Sequence, residues 1–118
     1  MKWADEFETR LVTFSSEVCL YLQSLGRAGI KNPLIDQLFR SSTSIALNYG
    51  EARGAESTKD FIHKLKISLK ELNETRIGLK ILSHLKPADQ EKIRPLITES
   101  GELVGVISAS IKTARRRL

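Results

Sequence analysis

Residues 57–85 read STKDFIHKLKISLKELNETRIGLKILSHL, and this stretch decides the fold. Its hydrophobic side chains recur at three- and four-residue steps, the spacing that places them on one face of an α-helix. The core positions of this face are Phe61, Ile62, Leu65, Leu69, Leu72 and Leu79. A second apolar edge lies about 150° away around the axis and comprises Ile67, Ile81 and Leu85. A helix roughly 40 Å long, at about 1.5 Å per residue, needs partner helices to cover its apolar side.

The start of this helix is marked by Ser57-Thr58-Lys59-Asp60, a sequence of the capping-box type. The Ser57 hydroxyl can accept a hydrogen bond from the third helical amide, while the Asp60 carboxylate reaches back towards the cap. The third helix is therefore predicted to begin here and to end at about Leu85.

The same periodicity predicts a helix over about residues 3–25 and another that begins at Asn32-Pro33, where asparagine caps and proline occupies the first helical position. Residues 50–54 are interpreted as the fraying end of that second helix. Pro87 and Asp89 open a fourth helical segment, in which Pro95 predicts either a kink or a separate short turn over residues 88–93. The apolar stripe of the first helix comprises Trp3, Phe7, Leu11, Phe14, Val18, Tyr21, Leu22 and Leu25.

Four amphipathic helices joined by short loops predict an all-α fold, an antiparallel up-and-down four-helix bundle. The chain has 118 residues, which suits one domain over residues 1–118, and 41% hydrophobic and 28% charged residues are ordinary for a globular protein. No alternation with the period of a β-strand interrupts the pattern.

The distribution of charge is uneven along the chain. Residues 1–50 contain five basic and five acidic side chains, whereas residues 51–118 contain fourteen basic and nine acidic ones. The whole excess of +5 therefore lies in the second half. This asymmetry indicates an anionic partner.

Catalytic and cofactor signals are lacking in the sequence. One Asp-x-x-His pair, Asp60 and His63, has no second copy, so a di-metal site of the bundle type is not expected. No phosphate-binding loop, cysteine pair or nucleophile motif is present. The sequence predicts a protein that is not an enzyme, without a metal, a cofactor or a small-molecule substrate.

A cytoplasmic location is expected. Asp5 and Glu6 stand where a secretory signal needs an apolar stretch, and no run approaches the roughly 20 apolar residues of a membrane span. The single cysteine, Cys19, cannot form an internal disulfide and is interpreted as a small hydrophobic residue.

Three passages carry a resemblance to a known family: SSTSIALNYGEA at residues 41–52, DFI at 60–62 and LKELNET at 69–75. In these motifs and in helix order the chain resembles the four-helix bundle proteins encoded by intervening sequences within bacterial 23S ribosomal RNA genes. The resemblance implies a homo-oligomeric barrel, typically a pentamer, with no known enzymatic activity. A related branch is the basic accessory protein of diversity-generating retroelements, which binds nucleic acid and a reverse transcriptase.

Basic side chains mark the candidate nucleic-acid interface. On one face of the third helix lie Lys59, His63, Lys66, Lys70 and Lys80, with Asn73 and His84, interrupted by Ile77; the chain then ends in Arg115, Arg116 and Arg117. Such cations can neutralise regularly spaced phosphates without reading bases. The alternative interpretation is a face kept basic for solubility, with the terminal arginines complementing the negative end of the last helix.

A polar stripe on the second helix forms a further set, and it coincides with the family motif at Arg40, Ser44, Asn48 and Glu51. Folding the third helix back about residues 55 and 56 brings Arg40 level with Glu71 and Asp36 level with Arg76. Because an unpaired cation on an apolar face is costly, Asp36 is the predicted partner of Arg76. We interpret these seven residues as structural or subunit contacts, with ligand contact as the alternative.

Two functions follow from these patterns. The first is a homo-oligomeric scaffold that associates non-specifically with RNA or DNA through basic helix faces. The second is a protein-interaction scaffold, with no role in nucleic-acid binding, that uses the edge of Ile67, Ile81 and Leu85 and the polar stripe of the second helix.

Overall fold

The computed structural model describes residues 2–85 and 88–118, and the regular secondary structure within them is entirely helical. The helices are α1, Lys2–Arg27; α2, Pro33–Arg53; α3, Thr58–Ser83; and α4, Gln90–Arg115. Together they form a rod of 48 × 22 × 20 Å. The predicted all-α four-helix fold is confirmed.

Each helix packs against its neighbours in the chain, and α4 closes the ring against α1. Because the connections are short, successive helices run antiparallel. The α2–α3 interface is the most extensive of the four, and the α1–α4 interface is the smallest. The bundle is therefore closed on three sides and more open along α1 and α4.

The helix starts use the expected side chains. Asn32 Oδ1 accepts a hydrogen bond from the Leu34 amide at 2.9 Å, with Pro33 at the first helical position. Ser57 Oγ accepts from the Asp60 amide at 3.0 Å, and the Asp60 carboxylate accepts from the amide of Glu56, one residue before the position that a capping box would use. These bonds satisfy amides that have no partner within the helix.

The ends of the helices differ modestly from the predictions. The turn of residues 50–53, interpreted as a fraying end, is helical and places Ala52 in the core. Residues 90–115 form one helix, so the separate short turn before Pro95 is not formed. Asp89 caps this helix by accepting from the Glu91 amide at 3.0 Å, whereas Pro87 lies outside the described residues.

The apolar stripes meet in one core, in which Leu11, Leu65 and Leu72 have no exposed surface. Phe61 and Leu69, which the pattern also places there, are half-buried and pack against its margin. None of the described helices is both long and apolar enough to cross a bilayer.

Small residues bring α2 and its two neighbours close together. Ser15 Oγ on α1 donates to the Ser42 carbonyl at 2.6 Å, and Ser68 Oγ on α3 donates to the Ile45 carbonyl at 2.8 Å. Gly78 faces Leu38 so closely that an added Cβ would lie 2.5 Å from Leu38 Cδ2. These contacts let backbones approach where larger side chains would hold them apart.

Candidate nucleic-acid interface

The outward face of α3 carries the predicted basic residues. Lys59, His63, Lys66 and Lys70 are exposed along its amino-terminal half, and Lys80 is half-buried further on. The four exposed residues succeed one another at four-, three- and four-residue steps and span about 16 Å at roughly 1.5 Å per residue. The structure thus brings them into one row.

The carboxy-terminal half of the same face also carries exposed apolar side chains. Ile77 is 53% exposed, Ile81 49% and Leu85 39%. With Leu34 of α2, the two isoleucines border a shallow groove of about 360 Å³. The edge predicted from Ile67, Ile81 and Leu85 is therefore centred on Ile77 and Ile81, because Ile67 is half-buried.

The terminal arginines lie at the end of the bundle where α3 begins. Arg115, Arg116 and Arg117 are all exposed. Arg117 lines a groove of about 290 Å³ together with Thr58 and Phe61 of α3 and Arg53 of α2. The structure therefore places the Arg115–Arg117 segment beside the start of the basic row.

The ion pairs among the described residues are formed by cations outside the candidate interface. Arg10 on α1 donates to both carboxylate oxygens of Glu99 on α4, at 2.8 and 2.7 Å, and also contacts Glu102 at 3.3 Å. The hydrogen bonds to Glu99 raise the pKa of Arg10. Arg53 joins α2 to α1 through Asp5 at 2.9 Å, with hydrogen bonding to Asp5 raising the pKa of Arg53.

The candidate cations take no part in these ion pairs. Over residues 2–85 and 88–118, no acidic side chain lies within ion-pair distance of any of the following: Lys59, His63, Lys66, Lys70, Lys80, Arg115, Arg116 and Arg117. The positive charge of these lysines and arginines is therefore available to an external anion.

The polar stripe of α2 faces α3. Arg40 Nη1 lies 3.0 Å from Glu71, the residue that the antiparallel register places level with it, and Nη2 contacts Glu74. Glu51 pairs with Lys64 at 3.8 Å. Between these pairs Ser44 and Asn48 donate to backbone carbonyls of α2 at 2.9 and 2.8 Å. The stripe thus joins α2 to α3 through its charged ends, while its central side chains bond to the backbone of α2.

The predicted pair of Asp36 and Arg76 is wrong. Arg76 projects towards α4, and a Cβ added to Gly101 would lie 3.5 Å from Arg76 Nε. That Nε is buried and has no hydrogen-bond partner among residues 2–85 and 88–118, while Asp36 is exposed. Arg76 therefore projects from α3 towards α4 and not towards Asp36 on α2.

The described residues contain no group of three or more histidine, cysteine, aspartate or glutamate side chains that could hold a metal ion. The carboxylate of Asp60, one member of the Asp-x-x-His pair, accepts a hydrogen bond from the Glu56 amide and so takes part in capping α3. Cys19 is half-buried, with its sulfur 3.9 Å from Ser42 Oγ.

The sequence pattern places Trp3 in the core stripe of α1, and this prediction is wrong. Trp3 is 54% exposed and stacks on Phe7 with the ring centroids 5.4 Å apart. Trp3 borders a groove of about 770 Å³, which runs along the α1–α4 side past Phe61 to Arg117. The small residues of α4 at this level, such as Gly105 and Ala109, are the signal in the sequence that could have revealed it.

Comparison with known proteins identifies the family. The profile of the family described as 23S rRNA-intervening sequence protein matches residues 9–109. The chain belongs to this family. A solved structure similar to this 23S rRNA-intervening sequence protein is that of a protein of unknown function from the S23 ribosomal protein family of Bacteroides thetaiotaomicron. The two are 30% identical, with a TM-score of 0.84 over 89% of this chain and 97% of the other. No curated protein matches this member of the family significantly.

Proposed function

We propose that this protein is a non-catalytic, cytoplasmic, homo-oligomeric bundle that associates non-specifically with RNA or DNA through the basic row of α3 and the Arg115–Arg117 segment. The observation that carries the proposal is the separation of two kinds of cation. Those between helices, such as Arg10 and Arg53, are held by carboxylates, whereas the candidate cations have no acidic partner among the described residues.

This separation matters because affinity for nucleic acid depends on cations that can release counterions from phosphates. A lysine already neutralised by a carboxylate gains little from a phosphate, since binding would first have to break the ion pair. The exposed cations of α3 carry no such cost. Because these residues lie on a helix, their backbone is already ordered before binding, and only the side chains lose freedom.

Salt-dependent binding tests this proposal. Fluorescence anisotropy with a labelled RNA of mixed sequence should show affinity that falls linearly on a log–log plot of binding constant against salt. The slope should be about 0.7 per phosphate contacted for a single strand. An absence of binding at low salt would contradict the proposed function.

A triple variant locates the interface. Replacing Lys59, Lys66 and Lys70 with glutamine should weaken binding and reduce the salt slope by about 2, because three phosphate contacts of about 0.7 each are lost. The matched control replaces three cations at the opposite end of the bundle with glutamine, which changes the net charge equally: Arg27, Lys31 and Lys92. An equal loss in both variants would show that net charge alone attracts the nucleic acid.

The second candidate function is a protein-interaction scaffold, and the exposed apolar side chains on the carboxy-terminal half of α3 favour it. Ile77 and Ile81 are each about half exposed and adjoin a groove. Clustered exposed apolar side chains mark contact surfaces more often than scattered ones do. In a homo-oligomer, this surface would serve as a subunit contact.

Light scattering coupled to gel filtration tests the assembly. The resemblance noted from the sequence implies five subunits, and the expected mass is five times the 13.3 kDa of one chain. Ile77→Glu and Ile81→Glu should lower that mass if the apolar surface is the contact. A monomeric wild-type protein would contradict the homo-oligomer.

A further inference from the structure

We propose that the groove between α1 and α4 is a stacking site for an unpaired nucleobase, with Trp3 as its aromatic platform and Arg117 at the end where the phosphate backbone leaves. This inference rests on the proposed association with nucleic acid and narrows it to single strands.

The groove has the size and lining of a site for a flat apolar group. Its volume of about 770 Å³ falls within the range of roughly 300–1,000 Å³ typical of small-ligand sites. Val106 and Ala109 of α4 provide an apolar floor, and Trp3 and Phe61 provide aromatic walls. Every nucleobase has a π face, so such a lining accepts bases without regard to sequence.

Trp3 has the exposure that stacking requires. The residue is 54% exposed, and its ring stacks on the ring of Phe7 with an interplanar angle of 14°. Phe7 is itself 5% exposed and meets Tyr49 edge to face at 5.1 Å. The core thus supports one face of Trp3 from below and leaves part of the ring open to a ligand.

The charges at the two ends of the groove differ, and this difference indicates which way a bound strand runs. At one end Glu102 is paired with Arg10 at 3.3 Å, which leaves no excess of positive charge there. At the other end Arg117 lines the groove and follows the exposed Arg115 and Arg116. A phosphate is attracted to the arginine end, so the backbone of a bound strand is expected to pass there.

The neighbouring groove extends this path. Phe61, Ala114 and Arg117 line both the α1–α4 groove and the groove of about 290 Å³ that reaches Thr58. From there the basic row begins at Lys59. A single strand with one base beside Trp3 can therefore continue past Arg117 to the lysines of α3, whereas a duplex keeps its bases paired and stacked and has none to insert.

The single tryptophan makes the proposal directly measurable. Titration at low salt with a mixed-sequence RNA of about 12 nucleotides, within the range bound by known single-strand domains, should quench the emission of Trp3. The DNA strand of the same sequence should do likewise, and its duplex should leave the emission unchanged. Equal quenching by strand and duplex would overturn the proposal.

Two substitutions act on the groove in different ways. Trp3→Ala should weaken single-strand binding by about tenfold, which corresponds to about 1.4 kcal/mol for one stacked base, and should leave duplex binding unchanged. Gly105→Met should have a similar effect by filling the groove, because an added Cβ at Gly105 meets no atom within 4 Å. The matched control is Gly50→Met on α2, where the space is equally open and no groove residue is replaced.

The outcomes separate this inference from the proposed function. Salt-dependent binding that both groove variants leave intact, with Trp3 emission unchanged, would refute the stacking site and retain the phosphate-binding row. An absence of all binding would refute both. Gly105→Met keeps the stacking test decisive if Trp3→Ala proves poorly folded, since it leaves the aromatic contacts of the first turn in place.

Discussion

Replacing Gly78 with alanine tests how closely α2 and α3 approach each other. In Gly78→Ala the new methyl group would lie 2.5 Å from Cδ2 and 3.1 Å from Cγ of Leu38, a side chain that is 1% exposed and has little room to move. Overpacking of this kind costs about 1–3 kcal/mol. Replacing a helical glycine with alanine contributes about 1 kcal/mol in the opposite direction. We expect a net loss of about 0–2 kcal/mol in the free energy of unfolding.

Gly105→Ala supplies the reference, because its methyl group meets no atom within 4 Å. It should gain about 1 kcal/mol from helix propensity alone. The difference between the two variants isolates the steric cost, expected at about 1–3 kcal/mol. Urea unfolding at one fixed protein concentration measures it, since assembly would make the midpoint depend on concentration.

A double-mutant cycle with Leu38→Ala sharpens the test. Leu38→Ala should cost less in the Gly78→Ala background than in the wild type, because removing the larger side chain relieves the clash. Equal stability of the Gly78→Ala and Gly105→Ala proteins, or additivity in the cycle, would refute the close approach of α2 and α3.

Three further predictions concern buried polar groups. Arg76→Met should leave the melting temperature unchanged or raise it, because it removes a buried Nε that has no partner in the described part of the chain. Asp36→Asn should leave the melting temperature unchanged. A marked loss of melting temperature in either variant would support the pairing of these two residues. Thr75→Val should cost about 1–3 kcal/mol in urea unfolding, since its hydroxyl donates to Ser41 Oγ at 2.8 Å in the core; a change below a few tenths would count against that bond. Burial raises the pKa of Tyr49, so the unfolded chain loses the phenolic proton first and stability falls as pH rises above about 10; Tyr49→Phe should show a shallower decline there, and identical pH profiles would contradict the shift.

Local sequence patterns predict most of the fold because the spacing of hydrophobic residues within each segment reveals the helical period. The stripe through Leu65 and Leu72 and the caps at Asn32 and Ser57 depend only on neighbours within a few residues. The contact of Arg40 with Glu71 follows too, since a short connection leaves one antiparallel register.

The direction of Arg76 and the exposure of Trp3 depend on information that a single helix lacks. Arg76 lies on α3 between the core and α4, so its surroundings depend on how three helices are arranged around it. Trp3 has the spacing of a core residue, but Gly105 and Ala109 of α4 are too small to cover it. The candidate cations could be named from the sequence, whereas their lack of acidic partners required the positions of every carboxylate.

The unequal closure of the bundle has a consequence for its motions. Local unfolding begins where the fewest contacts must be broken, and the smallest interface is the one between α1 and α4. These two helices are also the farthest apart in sequence, so their contact closes the longest loop. Backbone amides of α2 and α3 should therefore exchange with solvent deuterium last. Opening between α1 and α4 would widen the space beside Trp3 while the α2–α3 pair stays intact.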